Sequence, residues 1–296
     1  MREKFYRYLT ILAGILGPWA LGLGARLVAA GYFLFFPARA AVGMRFYAAL
    51  YPGRGRLYHL VCTWRQFQNF TSVFMDRFLL QSDHEIRYTF QGREHLLRAL
   101  QQKRGGIIVM SHMGNWEIAA HLLRRSIPQL RLMLYMGQRA KDEIERLQKE
   151  DLQANGIRIV AVDRDGGSPF DLVEGAAFLK SGGFVSMTGD RMWRREQRAV
   201  PVQLFGRRAH LPEAPHVLAL ISGTPLYIFF AAGTGPGQYH FSLSAPICVH
   251  AAARADRQAA IERSAQSYAD LIERQLRHNP FEWYHFENFL GPPLSR

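Results

Sequence analysis

Gly105-Gly106-Ile107-Ile108-Val109-Met110-Ser111-His112-Met113-Gly114-Asn115-Trp116-Glu117 runs from a glycine-opened apolar segment through a polar turn into a second patterned segment. The run to Met110 is short and rich in β-branched residues, so it reads as a buried strand. From Asn115 to Arg125, Trp116, Ile118, Ala119, Ala120, Leu122 and Leu123 cover one broad face, and Glu117, His121, Arg124 and Arg125 supply the polar remainder. That is the pattern of an amphipathic helix, with Ser111 or Asn115 placed to cap it. Strand, turn and helix in succession are the repeating unit of an α/β fold.

The turn carries a histidine and a carboxylate five residues apart. Within one continuous helix that spacing is roughly 500°, which leaves the two side chains about 140° apart and out of contact. They meet only if His112 precedes the helix and Glu117 points back from its first turn. The carboxylate then bonds one imidazole nitrogen and leaves the other to take a proton, while N–H groups at the helix start face a developing oxyanion. The residues alone leave a second reading open, an unrelated histidine beside an acid favoured by the helix dipole. Zinc is disfavoured, since His112, Glu117 and His121 do not follow H-E-x-x-H and no cysteine pair lies nearby.

Working outward, helices are expected over about 39–80, where Trp64, Phe67, Phe70, Phe74 and Phe78 recur at helical spacing. A strand near 86–90 and a helix over 93–102 precede the quoted stretch. Strands follow near 131–135, 157–162, 184–188 and 226–231, separated by helices near 141–154, 170–180 and 213–222. Phe241 to Val249 reads as a late strand and 254–278 as a charged amphipathic helix. The alternation predicts an α/β class with a mixed central sheet flanked by helices.

With 296 residues, 48% of them hydrophobic, the chain can bury one sizeable core. The expected organisation is an N-terminal hydrophobic membrane anchor over 1–40 and one catalytic domain over 41–296. Residues 8–25 carry no charge, but Gly14, Gly17, Pro18, Gly22 and Gly24 weaken a straight helix, so a kinked insertion into one leaflet is favoured over a clean span. Cys62 and Cys248 fit no metal or redox spacing and read as core thiols. Lys+Arg of 37 against Asp+Glu of 24 gives +13, which calls for an anionic partner. No helix-turn-helix, zinc finger or RNP-like aromatic pattern supports nucleic acid, leaving anionic lipid headgroups or an acidic carrier protein. No G-x-x-x-x-G-K-S/T, G-x-G-x-x-G or G-x-S-x-G occurs, so nucleotide-driven, dinucleotide-dependent and serine-hydrolase chemistry are unsupported.

The stretch Ser111-His112-Met113-Gly114-Asn115-Trp116-Glu117 resembles the H-x4-D/E block of the lysophospholipid acyltransferase superfamily. Its Gly-Asn-Trp-Glu form is similar to the bacterial branch containing the late (lauroyl/myristoyl) acyltransferases of lipid A biosynthesis. Leu134 to Arg139, Val162-Asp163-Arg164, Gly182 to Arg191, Leu204-Phe205-Gly206 and Gly223 to Leu226 follow in the order of that branch's later blocks, and the resemblance covers roughly residues 5–290.

The resemblance implies a glycerolipid-acyltransferase-like α/β sandwich on the cytoplasmic face of the bacterial inner membrane. It implies transfer of a fatty acyl chain from an acyl thioester, on acyl carrier protein or coenzyme A, to a hydroxyl of a lipid A precursor or related glycolipid, with no cofactor and no metal. His112 then takes the role of general base and Glu117 that of its orienting acid. Asn115, Arg139, Arg164, Asp190 and Arg191 fall on substrate-binding positions, the arginines suited to phosphate. Pro280 to Phe289 carries Trp283, as the branch does, but departs from it where acidic and aromatic residues replace a basic run. That leaves open the same chemistry on a hydroxylated lipid, an aminolipid or an aryl-polyene-type pigment, and beyond it a non-catalytic lipid-binding role.

Overall fold

The computed structural model describes residues 18–73, 75–76, 86–137, 152–154, 156–162, 169–192 and 197–293. Three helices come first: α1 (Pro18–Phe35), α2 (Pro37–Leu50) and α3 (Arg56–Asn69). Then follow β1 (Arg87–Gln91), α4 (Arg93–Gln101), β2 (Gly106–Gly114), α5 (Trp116–Ser126), β3 (Leu132–Gly137), β4 (Arg158–Val162), α6 (Pro169–Lys180) and β5 (Phe184–Thr188). A hairpin of β6 (Ala199–Leu204) and β7 (Arg207–Pro212) precedes α7 (Ala214–Ser222), β8 (Leu226–Gly235), β9 (Gln238–Leu243), a short 3-10 turn (Arg254–Asp256) and α8 (Arg257–His278).

The central sheet has seven strands in the order β1-β9-β8-β2-β5-β3-β4. β8, β2, β5, β3 and β4 are mutually parallel, while β9 runs antiparallel to β8 and carries β1 parallel to itself, so the sheet is mixed. Its inner strands are apolar on both sides because both faces are covered. Ile107, Val109 and Met113 of β2 point to a core shared with α2, α7, α8 and the β6/β7 hairpin. Ile108 and Met110 point to a second core shared with α4 and α5. The chain leaves β2 toward β3 and β4, then returns through β5 and crosses to β8, so β2 and β5 are neighbours at the point where strand order reverses. Ligands of open α/β sheets gather beyond the carboxyl ends of such strands.

Several expectations shift in detail. The late strand is Gln238–Leu243, earlier than Phe241 to Val249; Ile247 makes only an isolated bridge to Leu226. The β6/β7 hairpin was not expected, since its pattern is broken by Pro201, by Arg207 on the face of Ala209 and Leu211, and by Arg208 and His210 on its exposed side. Cys62 is a buried thiol as read, whereas Cys248 is exposed, because it lies in the irregular segment after β9. Phe74, Phe78 and most of the helix expected over 141–154 lie outside the described residues.

Among the described residues no single helix is long and apolar enough to cross a membrane. Trp19–Phe35 and Pro37–Leu50 pass that test only together, bent by 91°. The break falls at Phe36, whose φ of −121° and ψ of 67° lie outside the helical region that a following proline disfavours.

Candidate active site

β2 runs further than its apolar stretch, to Gly114, with a register shift between Met110 and Gly114. His112 therefore stands on the irregular end of a strand, immediately before α5. Gly114 makes this possible. Its φ is +61°, and a Cβ there would lie 1.5 Å from the Ala231 carbonyl oxygen on β8. Asn115 caps α5, its side-chain oxygen accepting from the Ile118 N–H at 3.3 Å while its amide donates to the Val73 carbonyl at 3.4 Å. That side chain thus caps α5 and ties the turn to the chain just past α3. Glu117 is buried in the first helical turn, where the positive end of the helix dipole favours a carboxylate.

The acid that meets His112 comes from the neighbouring strand. Gly189, just past β5, extends the β2/β5 pairing by donating to the Met110 carbonyl at 2.8 Å. A Cβ at Gly189 would stand 2.4 Å from Val109 and 2.6 Å from Tyr268, so only glycine lets the chain lie this close. Asp190 follows and faces His112. Its Oδ1 lies 2.8 Å from His112 Nδ1, and its Oδ2 accepts from the His112 backbone N–H and from Trp283 Nε1–H, both at 2.7 Å. The Asp190 side chain is 0% exposed and that of His112 19%, so only the imidazole reaches outward.

Burial of Asp190 disfavours its charge, but the opposing pull of His112, His285 and the Trp283 N–H prevails and holds the carboxyl at about 2. A carboxylate fixed this way favours the neutral imidazole that carries its proton on Nδ1.

A C-terminal segment closes the site. Met113 and Trp283 form an antiparallel bridge, the Gly114 N–H donates to the Glu282 carbonyl and the Tyr284 N–H to the His112 carbonyl, both at 2.8 Å. His285 is buried against Trp283 and Phe289, its affinity for a proton lowered by burial, and its Nδ1 has no hydrogen-bond partner among the described residues. Glu287 pairs with Arg191, which together with Arg39 outweighs the effect of burial and keeps the Glu287 carboxyl below its ordinary value.

Of the residues expected in the site, the structure gathers His112, Asp190 and Arg191 within one cluster and puts Asn115 and Glu117 on the turn beside it. Arg139 and Arg164 lie outside the described residues. Asp190 was expected against substrate, whereas both its oxygens are bonded within the protein. Trp283 matches the resemblance, while His285 and Glu287 fall in the departure from a basic run; the contact of this segment with His112 and Asp190 has no local signal in the chain.

A search of curated proteins finds no match to this chain. The family model of the bacterial lipid A biosynthesis acyltransferases matches residues 62–290, a span from α3 to the C-terminal segment that includes His112, Glu117, Asp190 and Trp283. The chain therefore belongs to the bacterial lipid A biosynthesis acyltransferase family and is an acyltransferase.

Proposed function

We propose that this acyltransferase moves a fatty acyl chain from an acyl thioester to a hydroxyl of a lipid A precursor or related glycolipid, with His112 as the general base. The observation that carries the reading is the His112–Asp190 pair at 2.8 Å, one member exposed enough to meet a substrate and the other wholly enclosed. Nε2 takes the acceptor's proton as its oxygen attacks the thioester carbonyl. The new C–O ester bond forms, the C–S bond breaks, and the proton passes from Nε2 to the departing thiolate. Base catalysis of this kind supplies roughly 10²–10⁴ in rate.

The tetrahedral oxyanion is assigned to backbone N–H groups at the start of α5, where the positive end of the helix dipole faces it. Glu117 is the second acid of the site, and Asn115 acts through the turn it caps. Arg191, Arg139 and Arg164 are assigned to substrate, in keeping with the phosphate of a glycolipid or of a phosphopantetheine arm. The reaction needs no metal or organic cofactor. Acyl carrier protein and coenzyme A thioesters are both anionic, and the net charge of +13 suits either donor.

The enzyme is placed at the cytoplasmic face of the inner membrane, with residues 1–40 as its anchor. In support, Trp19, Leu23, Leu27, Val28, Leu34 and Phe35 of α1 are exposed. On α3, Leu57, Leu60, Val61 and Trp64 recur at the spacing of one helical stripe and are exposed as well. The two faces adjoin where Phe33 packs edge-on to Trp64 at 5.3 Å. Arg54 and Arg56, at the start of α3, suit an anionic surface.

The test is mass spectrometry of total lipids from cells lacking the protein, carrying it, and carrying His112→Ala. One lipid class should gain an acyl mass only with the intact histidine. Identical profiles in all three would overturn the lipid acceptor and favour a carrier-bound or pigment acceptor.

A further inference from the structure

We propose that Trp283 is a positioning residue for catalysis, its indole N–H locking Asp190 so that His112 is held as the Nδ1–H tautomer. The inference rests on the reading of His112 as the base.

Three bonds converge on the Asp190 carboxylate. Two come from His112 itself, through its ring and its backbone N–H. The third, from Trp283 Nε1, comes from a different part of the chain and ends on Oδ2. Without it, nothing outside residue 112 in this set of bonds fixes the rotation of the carboxylate about its Cβ–Cγ axis. An acid free to rotate trades its oxygens between the ring and the backbone, and the imidazole loses its fixed partner.

Trp283 is itself held from several sides. Its carbonyl accepts from Gln66 Nε2 on α3 at 2.5 Å. Its ring, 1% exposed, packs against Phe46 of α2, His285 and Phe289 at 4.7 to 5.5 Å. Its neighbours Glu282 and Tyr284 bond the backbone on either side of Met113. Tyr47 Oη–H bonds the Pro280 carbonyl and Arg39 the Phe286 carbonyl, each at 2.9 Å, so the segment is anchored to α2 at both ends. The strap thus grips the end of β2 and the acid opposite it together. An aromatic residue with a ring N–H is required here, since the same side chain must fill an apolar pocket and donate to a buried carboxylate.

The test compares Trp283→Phe, which keeps a ring and removes the donor, with a full-length enzyme carrying benzothienylalanine at 283, which keeps the bicyclic shape and replaces N–H by sulfur. Both are measured beside His112→Ala, Asp190→Asn and the Asp190→Asn/Trp283→Phe double variant. The expected result is a fall in kcat of about tenfold or more at unchanged KM, with the acid limb of the rate profile moved to higher pH. The carboxylate, relieved of one donor, holds the imidazolium more strongly. The double variant should be no slower than Asp190→Asn, because Trp283 acts through that acid. Nitrogen-15 NMR of the His112 ring gives a substrate-free check: a single Nδ1–H tautomer in the unmodified enzyme and a mixture in the benzothienylalanine form.

A benzothienylalanine enzyme with unchanged kcat, pH profile and tautomer overturns the inference, as do losses that multiply in the double variant. If His112→Ala retains activity, the reading of His112 as base fails. If His112→Ala is inactive and loss of the Trp283 N–H is silent, only the role of Trp283 fails.

Discussion

His112 and Asp190, 78 residues apart in the chain, meet at 2.8 Å across the ends of two adjacent parallel strands, and the acid also accepts the backbone N–H of the same histidine. That double contact makes Asp190→Asn a specific probe. The two N–H donors at Oδ2 oblige the new amide to turn its oxygen toward them. Its NH2 then faces His112 Nδ1, which must accept, and the ring proton moves to Nε2, where it blocks the base. We expect kcat to fall roughly 10²–10⁴-fold with KM nearly unchanged. Glu117→Gln should cost less, because the acid bonded to Nδ1 is Asp190. Single-turnover acyl transfer by the purified variants decides the order, and a larger loss in Glu117→Gln would return the orienting role to Glu117.

Gly114→Ala should be among the most damaging single-methyl changes in the chain. The new Cβ would lie 1.5 Å from the Ala231 oxygen, and the backbone φ of +61° is one that L residues adopt at a cost. Either the β2/β8 pairing or the path into α5 must give way. A loss of at least about 3 kcal/mol is expected, read as a fall in Tm or as insoluble protein. An unchanged melting curve would mean that the strand end is far more plastic than the contact with Ala231 implies.

His216 gives the fold an acid-sensitive point away from the active site. It is enclosed between α7 and α8 with Nδ1 2.8 Å from the Ser264 hydroxyl, and burial lowers its pKa from 6.5 to about 4. The unfolded chain takes up this proton below 6.5 while the native state resists it until about 4. Its stabilising effect is therefore complete above pH 6.5 and is lost as pH falls through that window, at up to about 1.4 kcal/mol per unit and about 3 kcal/mol in all. Urea unfolding at pH 7.5, 5.5 and 4.5 should show this slope in the wild type. The His216→Leu/Ser264→Ala variant should show a correspondingly shallower one, and equal slopes would assign the acid sensitivity to other groups.

The sheet was legible because its inner strands are apolar runs, broken only by Ser186: Ile107 to Met110, Phe184 to Met187 and Leu226 to Ala231 each occupy a strand. His112 was legible for the same reason, since it follows such a run and precedes a capped amphipathic helix. Its partner was harder to see. The run Phe184 to Met187 sets Asp190 at a strand end beside the site, but its contact with Nδ1, where the five-residue spacing points to Glu117, depends on the adjacency of β2 and β5, which no local pattern encodes. Trp283 was hidden more deeply. Its bridge to Met113 is a tertiary pairing of one residue with one residue, too short for any period to mark. The break at Phe36 is the opposite case, one that a local rule marks, since Pro37 disfavours the helical conformation in the residue before it.

The exposed stripe on α3 carries the last prediction. Leu57, Leu60, Val61 and Trp64 fall at i, i+3, i+4 and i+7, and Leu57 is 73% and Val61 43% exposed, so polar replacements there disturb no core. If the stripe rests on lipid, Leu57→Glu/Val61→Glu removes two inserted side chains and sets two negative charges against an anionic surface. Full burial of such side chains is worth about 1.5–3 kcal/mol each, so vesicle affinity should fall by about 100-fold or more even with residues 1–40 intact. Flotation with phosphatidylglycerol-containing vesicles measures this, and raised salt should weaken the wild type partly, through screening of arginines such as Arg54 and Arg56, without abolishing binding. Should the double variant float as well as the wild type while keeping its melting temperature, the membrane contact would belong to the N-terminal segment alone and the α3 stripe would face solvent.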